Sequence, residues 1–394
     1  MPSKAFLVTS LSGRVLAKAA VRAKRPVMGV DAFADRDTCG VALKWMRIPL
    51  DHNSNVEPAE MLKAINSLCP QAYCLGLVYG SGFEARPDLL RSLAKGRPLL
   101  GNVPGVLETV ADPARFANLL VKLNIPHPVT VMSRPEDTTG WLSKLAGACG
   151  GTHVSFASCL TEDNAGRYFQ QQVDGEEWSF LFLANGREIC PVGFNQPIVT
   201  PPQAPGHWSY SGATRLNSGP AGIAEAVLDA ARALTGKLGL IGLNGLDFIV
   251  TNNNGWVLLE LNPRPTATLE LWDVPPLPPL FDLHIEACNG RLPAKLPQPT
   301  GSMAVAVAYA EKTLYTHDAF TWPSWCADLP WADSVIEAGD PVCTVRAEGM
   351  DAASAKRQVL ARRREILDQL ARFHSSSTDK NGRIFTQHDL MLPA

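Results

Sequence analysis

The sequence predicts a chain of α/β and α+β type, and three features predict it. Apolar strands alternate with helices over the first hundred residues, long strands and Gly-bearing hairpins fill the middle, and short strands with one long helix close the chain. Strand–helix alternation indicates a parallel sheet, whereas tight turns between apolar runs indicate antiparallel pairing. With 394 residues, 46% of them hydrophobic and 19% charged, the chain can build several subdomains around more than one core.

The elements follow in order. "KAFLVTS" reads as a buried strand, "GRVLAKAAVRAK" as a helix with apolar spacing, and "RPVMGVDAF" as a second strand. "YCLGLVYGSGFEARPDLLRSLAK" repeats strand, Gly-bearing loop and helix, and "RPLLGNV" adds a short strand. A first domain is placed at 1–104, with ligands expected at the C-terminal ends of its strands. "DPARFANLLVKLNIPHPVT" opens on Asp112 as helix cap with Pro113 in the first turn, and the helix should stop before Pro126. "WLSKLAGACGGTHVSFA" and "RYFQQQVDGEEWSFLFLANGREI" are β-like, with "ANGR" suited to a hairpin turn. These residues divide into 105–174, a linker helix with a small subdomain, and 175–295, a larger one. The latter holds a long Pro/Gly/Ser-rich loop over 195–220 and a helix, "AGIAEAVLDAARALTGKLG", that ends at Gly236 or Gly239. A small β-rich unit with a basic helix is expected over 296–394, and its tail from Ser375 is expected to be mobile.

Composition excludes some function classes. A formal net charge of −2 removes broad basicity as a reason to expect nucleic-acid binding, and the arginines of the last helix suit a solvated face. No apolar run reaches the ~18 to 20 residues of a membrane span. Nine cysteines without a C-x-x-C pair favour reduced thiols, and a cytoplasmic location is expected.

The chemistry concentrates in "LDFIVTNNNGWVLLELNPRPTATLEL". Read as a hairpin of 247–251 with 256–262 around "NNNG", it pairs Thr251 with Trp256, Ile249 with Leu258, and Asp247 with Glu260. Val257, Leu259 and Leu261 then point into the core. Opposed carboxylates about 4.5–5.5 Å apart at Cβ repel each other, so something must offset them. Asn262 shares their face. Two acids and an amide oxygen form a shallow half-cage suited to Mg²⁺ when phosphates complete the shell. Pro263 and Pro265 stiffen the strand end and aim Arg264. Ordinary solvated acids on a surface hairpin are the competing explanation. "WLSKLAGACGGTHV" offers a phosphate cradle: Lys144 followed by Gly147, Gly150 and Gly151. It is not the G-x-x-x-x-G-K-[ST] loop, and no G-x-G-x-x-G exists, which disfavours a dinucleotide enzyme. His153 is read as a structural histidine.

The order of the Lys and Gly-rich loop, "QQQVDGEEW", and Asp–x12–Glu–x–Asn–Pro–Arg resembles the ATP-grasp carboxylate–amine ligases, over most of the chain. It is most similar to the branch described as ATP-dependent carboligases related to biotin carboxylase. Thr9–Arg14, Val30–Thr38, Tyr79–Glu84 and Gly101–Asn102 resemble motifs of that branch, and "EAGDPVCTVRAEG" its closing β unit. The resemblance implies an ATP-grasp fold: a parallel α/β N-terminal domain before two α+β ATP-binding subdomains and a small C-terminal β-rich unit. It implies ATP and Mg²⁺ as cofactors, with Mn²⁺ as an alternative ion. Lys144 would contact the α- and β-phosphates and the Gly147–Gly151 loop would close over the β- and γ-phosphates. Gln171, Gln172 and Val173 would form the adenine hinge and Glu177 would hold the ribose. Asp247, Glu260 and Asn262 would ligate metal, and Arg264 would stabilise the acyl phosphate. The sequence departs from the pattern at Gly245, where a basic residue is common, at the hinge glutamines, and at Leu145 in place of proline.

The implied chemistry is ADP-forming carboxylate activation followed by attack of an amine. The partners are thus a small-molecule carboxylate and amine, with a homodimer allowed and neither nucleic acid nor membrane expected. Ser10, Gly13 and Arg14 at a helix N-terminus, Ser81 and Glu84 on a neighbouring loop, and His207, Tyr210 and Arg215 in the central loop are substrate candidates. Capping or packing competes with substrate contact at each. Relatives in organisms using tetrahydromethanopterin and methanofuran-type carriers suggest amide ligation of glutamate in one-carbon coenzyme biosynthesis. A bicarbonate-activating enzyme and a non-catalytic nucleotide-binding regulator are the alternatives.

Overall fold

The computed structural model describes residues 4–48, 57–160 and 165–376. The tail anticipated from Ser375 lies outside them, apart from Ser375 and Ser376 at the end of the final helix.

The N-terminal layer holds β1 (Ala5–Thr9), α1 (Arg14–Arg22), β2 (Val27–Asp31), α2 (Arg36–Cys39), β3 (Lys44–Arg47), α3 (Pro58–Leu68), β4 (Cys74–Tyr79), α4 (Pro87–Ala94) and β5 (Leu99–Leu100). Its five strands run in the order β3-β2-β1-β4-β5, all parallel. β1 is buried throughout, as a central parallel strand covered on both faces should be. The order reverses between β1 and β4, so the loops after these two strands, 10–13 and 80–86, open at one edge. The short strand β3 and the helix α3 have no counterpart in the sequence reading.

Two helices lead onward, α5 (Pro104–Ala111) and α6 (Pro113–Lys122). Asp112 caps α6, its Oδ1 accepting the N–H groups of Ala114 and Arg115 at 3.0 Å. A four-stranded antiparallel sheet follows, made of β6 (Thr130–Val131), β7 (Trp141–Leu145), β8 (Ser155–Phe156) and β9 (Arg167–Gln171), in the order β6-β9-β7-β8.

The main sheet begins with β10 (Gly175–Asn185), β11 (Ile189–Pro197) and β12 (Gly212–Arg215). After α7 (Ala224–Leu238) it continues with β13 (Ile241–Thr251) and β14 (Trp256–Asn262). Gly239, left-handed at φ 67°, stops α7. Beyond α8 (Leu269–Trp272) and α9 (Leu280–Cys288) come β15 (Ser302–Tyr309), β16 (Leu314–Tyr315), β17 (Cys326–Ala327), β18 (Val335–Ile336), β19 (Pro341–Gly349) and α10 (Ala352–Ser376). Strands of the expected C-terminal β-rich unit join the main sheet. β15 pairs with β12, so β15, β19 and β17 extend one eight-stranded sheet, β14-β13-β10-β11-β12-β15-β19-β17. The alanines of β15 explain the continuity: Ala304, Ala306 and Ala308 are fully buried and let α10 pack close against the sheet through Val359 and Ile366.

Two further cores tie the layers together. One unites α1 and the N-terminal sheet with α9 and the main sheet, as in the edge-to-face pair Phe6–Phe281 at 5.4 Å. The other packs α6 and α7 against Phe180, Phe182, Phe248 and Leu258.

Candidate active site

The β13–β14 hairpin places the two carboxylates opposite each other, Asp247 against Glu260. The tip is not as expected. Trp256 pairs with Val250 rather than Thr251, and Leu258 with Phe248 rather than Ile249. Leu259 is an extra, unpaired residue between these registers, a β-bulge. The bulge shifts the buried side chains as well: Leu258 and Leu261 enter the core, while Val257 and Leu259 are half-buried. Without the extra residue, an apolar Leu258 and an acidic Glu260 would share a face.

Burial pushes Asp247 up to about 6. Desolvation, followed by the charge of Asp247, pushes Glu260 up to about 7. By surface area Glu260 itself is exposed. Asn262 bridges the site. Its Nδ2 donates to Asp247 Oδ2 and its Oδ1 accepts from Arg264 Nη2, both at 2.8 Å. The amide oxygen expected to face a metal is thus turned to arginine, leaving the two carboxylates as the free oxygen donors. Among the described residues no group of three or more His, Cys, Asp and Glu could hold an ion alone. Two facing carboxylates fit a divalent cation whose remaining ligands come from phosphate.

Lys144, on β7, reaches this cleft. Burial lowers its pKa, while Glu260, Glu177 and Asp247 all act to raise it, so the lysine stands within electrostatic range of the three acids. Its Nζ donates to Gln170 Oε1 at 2.7 Å, and Gln170 in turn donates to Thr130. The glycine loop lies down on the cleft. Gly147, at φ 71°, has no room for a Cβ, which would stand 2.8 Å from Ala85 Cα; at Gly151 a Cβ would stand 1.8 Å from the Trp208 carbonyl oxygen. Gly150 faces open space, and its carbonyl accepts the Tyr210 N–H at 3.0 Å. Cys149 sits at the loop's tip, pushed up to about 12 by burial and then by the Glu84 charge. His153 is driven down to about 4 by burial and by Lys144 and Arg167. At the hinge, the N–H groups of Gln171 and Gln172 are spent on Val129 and Gly140 carbonyls. That leaves Val173 and the carbonyl oxygens to meet a base.

Arg264 is buried, with Nε donating to Glu84. Burial alone would lower its pKa, but Glu84 and then Cys149 hold it above the ordinary value. Glu84, read as a holder of an amine, is occupied by this arginine and by the Gly82 N–H at 2.8 Å.

Other substrate candidates also find partners inside the chain. Arg14 is 3% exposed and grips Glu270 with both terminal nitrogens at 2.9 Å and Asp328 with Nε at 2.5 Å. It fastens the N-terminal layer to two later segments instead of waiting for a carboxylate. The Gly13 N–H is taken by Asp31 at 2.8 Å, and a Cβ there would meet Trp45 at 2.3 Å. Arg215 is buried, donating to the carbonyls of Leu271, Thr300 and Gly301 and lying over the Trp272 ring. Its terminal nitrogens are thus engaged inside the chain, while its buried Nε–H has no partner. Ser10 and Ser81 face each other at 3.4 Å. His207 is exposed and stands edge-on to Trp208. Tyr210 is 37% exposed, and the charges of Glu270, Arg14 and Asp247 reach its hydroxyl.

Two positions escaped the sequence reading although the quoted motifs contained both. Tyr79 donates to the carbonyls of Asn102 and Pro263, at 2.8 and 3.2 Å. Buried Asn102 donates to Pro263 O and Asn244 Oδ1 and accepts the Ile241 N–H. These bonds hold the Asn–Pro–Arg segment in place. Gly245 also has a reason: a Cβ there would be 2.7 Å from Thr266, so no basic side chain fits.

Residues 110–268, which carry Lys144, the glycine loop, both carboxylates and Arg264, match the ATP-grasp domain family. The match spans less than half of the chain. The described chain has the ATP-grasp fold. It superposes on biotin carboxylase from Campylobacter jejuni with a TM-score of 0.66 at 11% identity, covering 89% of each chain. N5-carboxyaminoimidazole ribonucleotide synthetase from Thermotoga maritima gives 0.63 at 14%, over 91% of this chain and 98% of that one. The biotin carboxylase domain of Hydrogenobacter thermophilus 2-oxoglutarate carboxylase, a dimer with MgADP and bicarbonate, gives 0.68 at 10%, over 93% and 90%. By sequence, the arginine-specific carbamoyl phosphate synthase large chain of Geobacillus stearothermophilus is 25% identical over 211 residues. That match covers 48% of this chain and only 20% of the relative's length.

Proposed function

We propose that this ATP-grasp protein is an ADP-forming carboxylate–amine ligase that works through an acyl phosphate. One observation carries the reading: Lys144, the facing Asp247–Glu260 pair and Arg264 meet in one cleft under a seated glycine loop. Bound MgATP would supply the γ-phosphoryl group that activates the substrate carboxylate. Asp247 and Glu260 would hold the cation, Lys144 and the loop amides the phosphates, and Glu177 the ribose. The hinge 171–173 would receive adenine. No side-chain nucleophile is required, since positioning and charge neutralisation lower the barrier. Arg264, oriented by Glu84 and Asn262, presents a fixed guanidinium where negative charge accumulates. The loop of Gly147–Gly151 keeps water from an activated acid.

The acceptor we infer is an amino acid such as glutamate, joined by an amide bond to a coenzyme carboxylate of the tetrahydromethanopterin or methanofuran kind. Support comes from the resemblance of Thr9–Arg14, Val30–Thr38 and Tyr79–Glu84 to that branch. A second reading, activation of bicarbonate, is favoured by the superposition on a biotin carboxylase domain holding MgADP and bicarbonate. Dimerisation, as that relative's name records, is proposed here too. ADP release measured with bicarbonate, and with glutamate plus pterin or furan carboxylates, separates the readings. Stimulation by glutamate and its carboxylate partner is expected. Stimulation by bicarbonate alone would establish the second reading, and nucleotide binding without acceptor-dependent turnover would reject both.

A further inference from the structure

Outside the nucleotide cleft, a cavity of about 360 Å³ opens between β19, α10 and the segment 324–325. Its walls include Arg346, Arg362, Glu348, Gln358, Trp325 and Met303, none of which contributes to the cleft. Two guanidinium groups face one carboxylate, so the lining carries an excess positive charge. Arg362 is fixed in place: its Nη1 donates to the Arg346 carbonyl and its guanidinium stands 5.4 Å from the Trp325 ring centroid. Arg346 is not satisfied. Its Nε–H is buried without a hydrogen-bond partner, and its Nη2 reaches only the Ser324 carbonyl, at 3.4 Å. The buried Nε–H is closed to a ligand, but the terminal nitrogens of Arg346 are held by no contact shorter than that one, and Arg346 lines the cavity.

We propose that this cavity is a binding site for a small organic carboxylate. The carboxylate would accept from Arg346 and Arg362, a fork geometry that matches guanidinium donors. The carbon body would lie against Trp325 and Met303. The volume exceeds what an inorganic anion needs and is that of a small-ligand site. The site is independent of the ligase reading and would operate whatever the cleft catalyses.

Calorimetric titration of the full chain with benzoate, acetate and inorganic phosphate tests it. Saturable binding of one organic carboxylate per chain is expected. Arg346→Gln should weaken it about tenfold, the scale of one charge-assisted hydrogen bond. Glu348→Gln should tighten it several-fold by removing the repelling acid, a gain that a misfolded protein could not show. Glu260→Gln, in the cleft, should leave it unchanged. Absence of binding, binding of phosphate alone, insensitivity to both cavity substitutions, or loss in Glu260→Gln would each overturn the proposal.

Discussion

At the scale of single residues, Glu260 and Glu84 act on the cleft in different ways. Glu260→Gln keeps the shape of the side chain but removes a carboxylate that would hold the cation. Turnover should fall by a factor of about 10³ or more with unchanged circular dichroism; near-normal rates would reject the assignment. Glu84→Gln leaves the cation donors intact and loosens Arg264. The expected result is a fall in kcat of about 10²-fold with KM for ATP nearly constant. A third residue sets a pH dependence of stability. His284 is 1% exposed, accepts the Leu243 N–H on Nδ1 at 2.9 Å, and pairs through Nε2 with the Leu100 carbonyl. Burial depresses its pKa from 6.5 to about 4. Between those values the unfolded chain takes up a proton that the folded chain refuses. Its contribution is therefore complete above pH 6.5 and declines as pH falls toward 4. Asp247 and Glu260, held above the ordinary carboxylate range, shift stability the opposite way over the same pH range. The contribution of His284 is therefore read against His284→Asn: the change in urea-unfolding stability from pH 7 to pH 5 should differ between the two proteins by about 2 kcal/mol, and equal changes would contradict the burial of its neutral form.

Elements explain what residues alone do not. The glycine loop between β7 and β8 is held down by close contacts at Gly147 and Gly151, both with positive φ. Gly151→Ala must push a Cβ against the Trp208 carbonyl and strain the backbone. The loop should lose its seat while the main sheet stays folded. Limited proteolysis should cut near 146–154 faster and kcat should drop, with the melting temperature changed by no more than a few degrees. Equal cleavage rates would show that this contact does not fix the loop. The hairpin teaches a related lesson. Alternation along 256–262 predicted the facing acids correctly, yet the tip register failed because a single bulged Leu259 is invisible to a period-2 pattern.

On the scale of the whole molecule, the N-terminal layer is fastened to the ATP-grasp segments by polar contacts that the chain makes over long separations. Arg14–Glu270, Arg14–Asp328, Glu84–Arg264 and Asn102–Pro263 all run from the first sheet to residues beyond 260. Arg14→Met would leave Glu270 and Asp328 without their cation in a largely buried place. A loss of about 3 kcal/mol is expected in urea unfolding. Arg14→Lys, which retains charge but not the fork, should restore only part of it. An unchanged midpoint for Arg14→Met would return Arg14 to the substrate candidates.

The sequence by itself determined the alternation that makes the first sheet parallel, the cap at Asp112, and the opposition of Asp247 and Glu260. Each of these depends on neighbours within a few residues or on one hairpin, where periodicity and turn chemistry are sufficient. Only the tertiary structure decided the fate of Arg14, Glu84 and Arg215, which look alike in the sequence as charged loop residues awaiting a ligand. Their partners come from tens to hundreds of positions away, and long-range ion pairing is set by how layers pack, not by local pattern. The same holds for the joining of β15 and β19 to the main sheet, since strand order across a sheet is a property of the assembled fold.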